Sequence, residues 1–367
     1  FPIRPYARAP PMIGNTNLGL LSLQTSHSGD FLSENFTVGR VKQNIFGRSY
    51  VGGILTSRQG DPSHRDITAG GDFMFLVKNN LRFHGLLSKS NRPGESSEDW
   101  FGSFGALQFN DKYNWEIRYD DIGKNFDPGI GFVTRPDQKT WTAFGEWTPR
   151  PGWRGVRQLN FRALYKKTEN HRNVLETDRF QLVSAVNFQT DDRLHTTFNH
   201  VADNVPYPFE IAPGIIIPPG EYENNEVAFG VAMTPSRPVS GRFNYYTTSF
   251  YGGRIHGTVF GILVRPFSFL HLRFDEDFSD VSVPDGSFHS ALSRFFASYY
   301  LNSRLSTRMA IQHSSLYGDF VLNLRVFVTS HRYGNYPSDI PGRFKRRRIQ
   351  RFEKRNHEVC RGFDQLA

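Results

Sequence analysis

Hydrophobic and polar residues alternate with a period of two along most of the chain. In residues 113–121, Trp115 and Tyr119 lie on one face, and Glu116 and Arg118 lie on the other. The same alternation recurs in residues 156–168, 287–302 and 319–329. A period of two is typical of β-strands, whose successive side chains point to opposite faces. Since no part of the body shows a helical period, the sequence predicts an all-β protein.

The spacing of these segments favours strands long enough to cross a membrane. About eighteen candidate strands lie between residues 17 and 329, roughly 17 residues apart, which is longer than the rhythm of β-sandwiches. Short turns, such as 46–48 and 110–112, alternate with long connections, such as 89–99 and 123–140. Short turns at one rim and long loops at the other are typical of outer-membrane barrels. The predicted fold is therefore an antiparallel transmembrane β-barrel of about 16–20 strands.

Aromatic residues near the ends of the predicted strands support a membrane setting over a soluble β protein with irregular hairpins. Alternation alone does not separate the two, because one face of a soluble sheet is also exposed to water. Aromatic girdles are typical of the two membrane interfaces. The aromatic residues in question are Trp100, Phe101, Trp141, Trp147, Tyr245, Tyr246, Tyr299 and Tyr300.

The formal net charge of +9 does not indicate a nucleic-acid-binding protein, because the excess is local. The segment from Pro341 to the end contains nine Lys and Arg against three Asp and Glu. We interpret residues 330–367 as a basic tail, solvated or non-native, and predict no nucleic-acid partner. A single cysteine, Cys360, excludes an internal disulfide framework. The longest apolar runs are also too short for a transmembrane helix.

Residues 206–222 carry five prolines that flank Ile215, Ile216 and Ile217. Proline cannot donate a ladder hydrogen bond, so this segment is not an ordinary central strand. Strand order places it in an outer loop. We predict that the prolines fix it without hydrogen bonds and that it folds over the barrel mouth or packs on neighbouring loops. It would act as a lid with Phe209 and Tyr222 at its ends, or as a rigid brace.

Few residues suggest catalysis or metal binding. The acidic cluster Asp275, Asp277 and Asp280 is a weak Ca²⁺ candidate, the alternative being a solvated strand end, because it lacks the spacing and turn glycine of an EF-hand. Asp120 and Asp121 are adjacent, so on a strand they would point to opposite faces rather than form an acid/base pair. Metal-binding histidine motifs and nucleophile motifs are missing from the sequence. We predict no catalytic residue, no cofactor and no enzymatic activity.

The predicted lumen has the clearest chemical character. The mid-strand polar residues would face inward, where rows of guanidinium groups opposite acids shape the field across a pore. They would form a conduit or a binding cavity for anionic or hydroxylated solutes, or else pair with each other to fill a closed interior. The candidate binding residues are Glu116, Arg118, Arg162, Arg179, Arg242, Arg294 and Arg325.

Four segments together resemble an uncharacterised barrel domain of Gram-negative outer-membrane proteins. They are NFTVGRVKQNIFGRSYVGGILTSR (35–58), GKNFDPGIGFVTR (123–135), PYPFEIAPGIIIPPGEY (206–222) and VSGRFNYYTTSFYGG (239–253). In that family the domain follows a carbohydrate-binding module similar to family 9. The resemblance covers about residues 17–325. It implies an outer-membrane location and contact with lipid, and it supplies no catalytic residues.

The chain departs from this family at both ends, where the module and the last hairpins are not recognisable. We therefore divide it into a non-family segment (1–16), a barrel domain (17–329) and a tail (330–367), and hypothesise a partial member whose barrel lacks closing strands. Three functions are open: a conduit or binding barrel for a small polar or glycan-type ligand, the anchor of a glycan-binding or glycan-hydrolysing surface protein, or a soluble carbohydrate-binding protein. The ligand and the oligomeric state are not predicted.

Overall fold

The protein is described by a computed structural model that covers residues 3–4, 8–9, 12–27, 33–60, 65–92, 94 and 97–328. Apart from one 3-10 turn, Lys78–Asn80, every regular element in these ranges is a β-strand. The strands are β1 (Ile3–Arg4), β2 (Arg8–Ala9), β3 (Met12–Ile13), β4 (Thr16–Thr25), β5 (Asn35–Ile45), β6 (Ser49–Gln59), β7 (Arg65–Leu76), β8 (Leu81–Asn91), β9 (Trp100–Phe109), β10 (Tyr113–Ile122), β11 (Gln138–Trp147), β12 (Val156–Glu169), β13 (Leu175–Phe188), β14 (Arg193–Val205), β15 (Phe209–Ala212), β16 (Ile215–Ile217), β17 (Gly220–Ala232), β18 (Val239–Phe250), β19 (Gly253–Phe267), β20 (Leu270–Val283), β21 (Gly286–Tyr300), β22 (Leu305–Ser314) and β23 (Asp319–Val328).

The predicted all-β, antiparallel fold class is confirmed. The chain divides into two compact units, Phe1–Asn204 with Glu221–Val227, and Val205–Gly220 with Ala228–Ala367. In the first unit, β4 to β14 pair in chain order, each antiparallel to the next. In the second unit, β18 to β23 do the same. Among the described residues, eleven strands of ten or more residues begin before Asn204 and seven begin after it, which agrees with the predicted number.

Side-chain amides close several of the short turns and so determine where the strands begin. Asn110 Oδ1 accepts hydrogen bonds from the backbone N–H groups of Lys112 and Tyr113, both at 2.8 Å, between β9 and β10. Asn302 Oδ1 does the same for Arg304 and Leu305 between β21 and β22. An asparagine that bonds its own backbone two residues ahead stabilises a tight turn. These local turns allow each strand to pair with its chain neighbour.

Each unit presents a polar face and an apolar face. The polar face of the first unit is defined by Arg40, Asp72, Ser103, Arg118 and Lys166, and that of the second by Arg242, Asp275 and Arg294, since the strand register places each set on one side. The opposite, apolar faces carry large hydrophobic side chains that remain exposed. Examples are Leu55, Ile117, Trp141, Phe260 and Phe278. The packed core is correspondingly small.

Some sequence predictions lie outside the described residues. The basic tail, residues 330–367, is one of them, and the proposed segment 1–16 is described only at residues 3–4, 8–9 and 12–16. The division into three parts therefore stays a prediction. Among the described residues, helices long and apolar enough to cross a membrane are not found.

Candidate functional site

The polar face of the first unit brings together four of the candidate binding residues, Glu116 and Arg118 on β10, Arg162 on β12 and Arg179 on β13. The register aligns Arg118 with Thr142, Thr142 with Lys166, and Lys166 with Arg179. Three basic side chains therefore lie in one row across four strands, with Thr142 between Arg118 and Lys166. The alternation of the sequence predicts only that Lys166 lies on the polar face. The strand register adds that Lys166 lies opposite Arg179.

A cavity of about 420 Å³ opens on this face. Its lining combines hydroxyl, amide, carboxylate, imidazole and cationic groups with one aromatic ring. The lining side chains are His84, Phe101, Ser103, Arg118, Asp120, Ile122, Gln138, Thr140 and Lys166. Small-molecule sites commonly measure about 300–1,000 Å³ and combine apolar walls with a few convergent polar groups. The cavity has the size and the chemistry to hold a small polar solute.

Arg118 is held in place by the two acids that flank it on the same strand. Its Nε lies 2.9 Å from Asp120 Oδ2, and its Nη1 lies 3.2 Å from Glu116 Oε1. The hydroxyl of Ser103 donates to the other oxygen of Asp120 at 2.5 Å. Neighbouring acids therefore neutralise Arg118, and this cluster alone carries a net negative charge.

Lys166 is the second cation of the cavity, beside Arg118, and Asp120 is the acid that lines the same cavity. Among the described residues, carboxylate oxygens within 4 Å of its ammonium group are lacking. Arg162 forms no ion pair within the described ranges, although the register places Glu146 opposite it on β11, and its Nη2 donates to Gln181 Oε1 at 3.3 Å. Arg179 Nε donates to Asn199 Oδ1 at 3.0 Å. Lys166, which forms no ion pair among the described residues, is therefore the side chain of this cavity that is best placed to contact an anion.

The loop of residues 123–137 folds across the polar face, which the sequence did not reveal. Phe126 is 6% exposed and its ring centroid lies 5.8 Å from that of Phe101. The backbone N–H of Asp127 donates to Ser90 Oγ at 3.2 Å, and Thr56 Oγ1 donates to the carbonyl of Pro128 at 3.4 Å. This loop covers the polar face of β6 to β9 beside the cavity.

Arg92 ties the same loop to β7. Its Nε lies 3.1 Å from Asp66 Oδ1, and its Nη2 pairs with Asp127. Burial raises the pKa of Asp127, but the hydrogen bonds from the Gly129 backbone and from Arg92 outweigh it, so the pKa lies below its usual value. The sequence predicts this loop as a long connection and as part of a family resemblance, but its contacts with β6, β7 and β8 have no local signal.

On the apolar side, the end of the loop is held by His171, in the connection between β12 and β13. His171 Nδ1 lies 2.8 Å from Asp137 Oδ1, and Nε2 lies 2.8 Å from Asp121 Oδ1. Burial disfavours the charged imidazole, yet hydrogen bonds to Asp137 and Asp121 outweigh it and raise the pKa of His171. Both ring nitrogens face carboxylates, so the doubly protonated ring fits this position best.

Adjacent Asp120 and Asp121 point to opposite faces, as expected from the sequence. Asp120 pairs with Arg118 on the polar face, whereas Asp121 contacts His171 and accepts a hydrogen bond from Tyr119 at 2.9 Å. They do not form a facing acid/base pair. Among the described residues, groups of three or more potential metal ligands are not found either.

In the second unit, Asp275 is the centre of an arginine cluster. It is 1% exposed and receives Arg242 Nη2 at 2.9 Å, Arg273 Nε at 2.6 Å and Arg273 Nη2 at 3.0 Å. Gly261 lies between Asp275 and Arg242 in the register, and a Cβ there would lie 2.7 Å from Asp275 Oδ1. Arg294 pairs with Asp277 on the same face.

This arrangement separates the residues proposed for Ca²⁺. Asp275 and Asp277 already bind arginines, and Asp280 lies on the opposite face, where its Oδ1 is 3.2 Å from His289 Nδ1. The three carboxylates are not brought together. Arg325, on β23, is exposed and donates to Asn323 Oδ1 at 3.1 Å, away from the Asp275 cluster by register.

The proline-flanked segment forms a small hairpin of its own, β15 and β16, instead of a loop free of backbone hydrogen bonds. Gly214 adopts φ +81° at its turn, and its N–H donates to Glu210 Oε1 at 2.7 Å. Ile217 is 1% exposed, whereas Ile216 is 48% exposed.

Contacts within the second unit hold this hairpin on neighbouring turns, as one of the two expected arrangements. The ring of Phe209 meets Tyr251 edge-on at 5.4 Å, and Ile215 lies against Gly286. Tyr222 lies in β17, outside the hairpin. A role as a lid stays a prediction.

Comparisons with known proteins add little to this picture. Neither a family model nor a curated protein matches the sequence. The chain is similar to the solved structure of OccK10 (OpdN) of Pseudomonas aeruginosa, with 10% identity and a TM-score of 0.41 over 89% of this chain and 96% of that one. The more specific resemblance to a barrel family that follows a carbohydrate-binding module stays a prediction.

Proposed function

We propose that the chain is an outer-membrane β-barrel protein whose polar faces bind or conduct a small polar or glycan-type ligand. The observation that carries this proposal is the division of faces. Strands β4 to β14 leave large apolar side chains exposed on one face while arginines, acids and amides cover the other. In water such an apolar face is an aggregation hazard, whereas in a bilayer it is the lipid-contacting surface.

Aromatic residues mark both ends of this apolar face. Trp141 and Trp147 lie six residues apart on β11 and are 52% and 48% exposed. Trp141 packs against Tyr119 with ring centroids 4.6 Å apart, and Trp147 stacks on Phe161 at 5.5 Å. Six residues of a β-strand span about 20 Å along the strand, or about 15 Å of membrane height at a tilt of about 40°. Both pairs therefore fit within the apolar band of about 25 Å and its flanking interfaces in outer-membrane barrels.

The membrane assignment is tested by extraction and by gel migration. We expect membranes to release the protein only with detergent, and the unheated protein to migrate differently from the boiled protein on a detergent gel. Release by alkaline carbonate without detergent would contradict the proposal and favour a soluble carbohydrate-binding protein.

The role of the cavity is tested with adjacent lysines that point to opposite faces. Lys166 lies in the cavity, whereas Lys167 lies on the apolar side of β12 opposite Trp141 and pairs with Glu169 at 2.7 Å. We expect Lys166→Gln to reduce the preference for anions in planar-bilayer reversal potentials, and Lys167→Gln to leave it unchanged. Equal effects of the two variants would show that the cavity does not set selectivity.

A second candidate function is favoured by the 123–137 loop. Because this loop covers part of the polar face, the chain would also suit a closed barrel that anchors a glycan-binding or glycan-hydrolysing module. Such a barrel is folded but silent in planar bilayers. Conductance that appears only after deletion of residues 125–134 would support the anchor, and conductance of the intact chain would support the conduit.

A further inference from the structure

One carboxylate is misplaced for a face that contacts lipid. Glu276 lies in the middle of β20, with its side chain on the apolar face between the exposed rings of Phe274 and Phe278. Its neighbours Asp275 and Asp277 point the other way, to the arginine cluster. Among the described residues, a hydrogen-bond or ion-pair partner of Glu276 is not found. An unpaired ionisable group facing hydrocarbon is unfavourable and marks a functional surface.

The same row of the sheet carries a complementary group. The register aligns Glu276 on β20 with Ser293 on β21, and Ser293 with His313 on β22. Glu276 and His313 are two strands apart, about 10 Å, which is too far for direct contact. An acid, a hydroxyl and an exposed base therefore lie in one row across the apolar face, on which Asp280 and His289 already pair with each other.

We propose that this row is the contact surface for a second copy of the chain, an inference that rests on the proposed membrane location. In a two-fold symmetric interface, each residue on one side of the axis meets its counterpart from the other side. With the axis parallel to the membrane normal and passing beside Ser293, Glu276 of each copy faces the imidazole of the other copy's His313. Ser293 then meets its own twin.

This arrangement satisfies both polar groups and keeps the two copies in the same orientation in the membrane. Glutamate and histidine side chains are long enough to bridge the offset that strand tilt introduces. The exposed rings of Phe260, Phe274 and Phe278 lie around Glu276 and supply apolar contact area at that end of the row. Small polar groups that bond between segments stabilise association inside membranes, where apolar contact alone does not discriminate protein from lipid.

The position of Ser293 at the axis is tested by self-cross-linking. In a Cys360→Ser background, we expect Ser293→Cys to form a disulfide-linked dimer on oxidation in native membranes. Leu292→Cys is the matched control, because its side chain lies on the polar face opposite Asp277. Thr258→Cys is a second control on the apolar face, two strands from Ser293. Neither control should cross-link.

The pairing of Glu276 with His313 across the interface is tested by exchanging these two residues. Glu276→His and His313→Glu each place like groups opposite each other, so we expect the dimer-to-monomer ratio in detergent to fall at least about tenfold. The double exchange recreates both acid–base pairs and should restore the ratio to within about threefold.

Detergent extraction and heat-modifiable migration of the same samples distinguish a failure of the proposed dimer from a failure of the proposed membrane location. A folded, detergent-extracted chain whose Ser293→Cys variant stays monomeric, or whose double exchange does not recover the dimer, overturns this inference alone. A chain that leaves membranes without detergent overturns the proposed function together with it.

Discussion

Removing the arginines around Asp275 tests whether this carboxylate depends on two partners. Arg242→Ala deletes one charge-assisted hydrogen bond, and Arg273→Ala deletes one such bond together with a second ion-pair contact. Such bonds contribute about 1.5–3 kcal/mol each when buried. Arg242 and Arg273 are 42% and 49% exposed, so solvent screening lowers their share to about 1 and 1.5 kcal/mol of unfolding free energy.

The double substitution should cost more than the sum of the two single ones. Asp275 is 1% exposed, and the loss of both arginines leaves its charge buried without a partner. Breaking a buried ion pair in this way costs about 3–5 kcal/mol. We therefore expect a coupling free energy of about 1–2 kcal/mol between the two positions.

The assay is urea unfolding in phospholipid vesicles, with the folded fraction read from migration of unheated samples. Asp275→Asn in the doubly substituted chain is the control, because it removes the buried charge and should recover most of the coupling energy. Additive single effects, or a failure of Asp275→Asn to recover stability, would refute the reasoning.

Three further predictions concern the 123–137 loop and a close glycine contact. The contacts of His171 with Asp121 and Asp137 form a clamp on the end of the loop. Because the pKa of His171 is raised in the folded state, the clamp is fully stabilising below the unfolded pKa of about 6.5, and this stability is lost as pH rises through the folded pKa. Tryptic cleavage at Arg135, relative to a His171→Gln control, should therefore increase with pH, and a constant ratio would contradict the clamp. Arg92→Ala leaves Asp66 buried without its partner and frees Asp127, so the loop should exchange amide hydrogens faster, whereas Arg82→Ala should not change it. Gly257→Ala places a Cβ 2.1 Å from Tyr246 Cζ and should destabilise the second unit by about 1–3 kcal/mol, and adding Tyr246→Ala should recover part of this loss.

Strand positions could be predicted from the sequence because alternation is a local signal. The predicted strand 113–121 is observed as Tyr113–Ile122, and 156–168 as Val156–Glu169. The residues of the polar face could be predicted in the same way, because every second residue of a strand lies on the same face as Arg118 or Arg162. The position of an aromatic residue near a strand end was a poorer predictor of a membrane-facing ring. Phe101 packs on Phe126 and Tyr246 forms a hydrogen bond with Ser279, and both rings lie on polar faces.

Contacts between distant residues could not be predicted. The salt bridge from Arg92 to Asp127 spans 35 positions, and the contact of His171 with Asp121 spans 50. A pattern of period two carries no information about which loop folds across which strands. The prediction that the proline-rich segment lacks backbone hydrogen bonds was wrong. Its prolines flank a short hairpin, and the two strands of that hairpin pair with each other.

The position of the 123–137 loop makes it a detector for ligands of unknown identity. Ile122 and Gln138, the residues that flank the loop, both line the cavity. A compound that occupies the cavity holds both ends of the loop, and at a concentration of 100 times its dissociation constant it adds about 2.7 kcal/mol to the stability of the bound state. Slower amide exchange in residues 123–137 would therefore report binding during a screen of mixed sugars and acids, without a label on any compound and without a conductance signal.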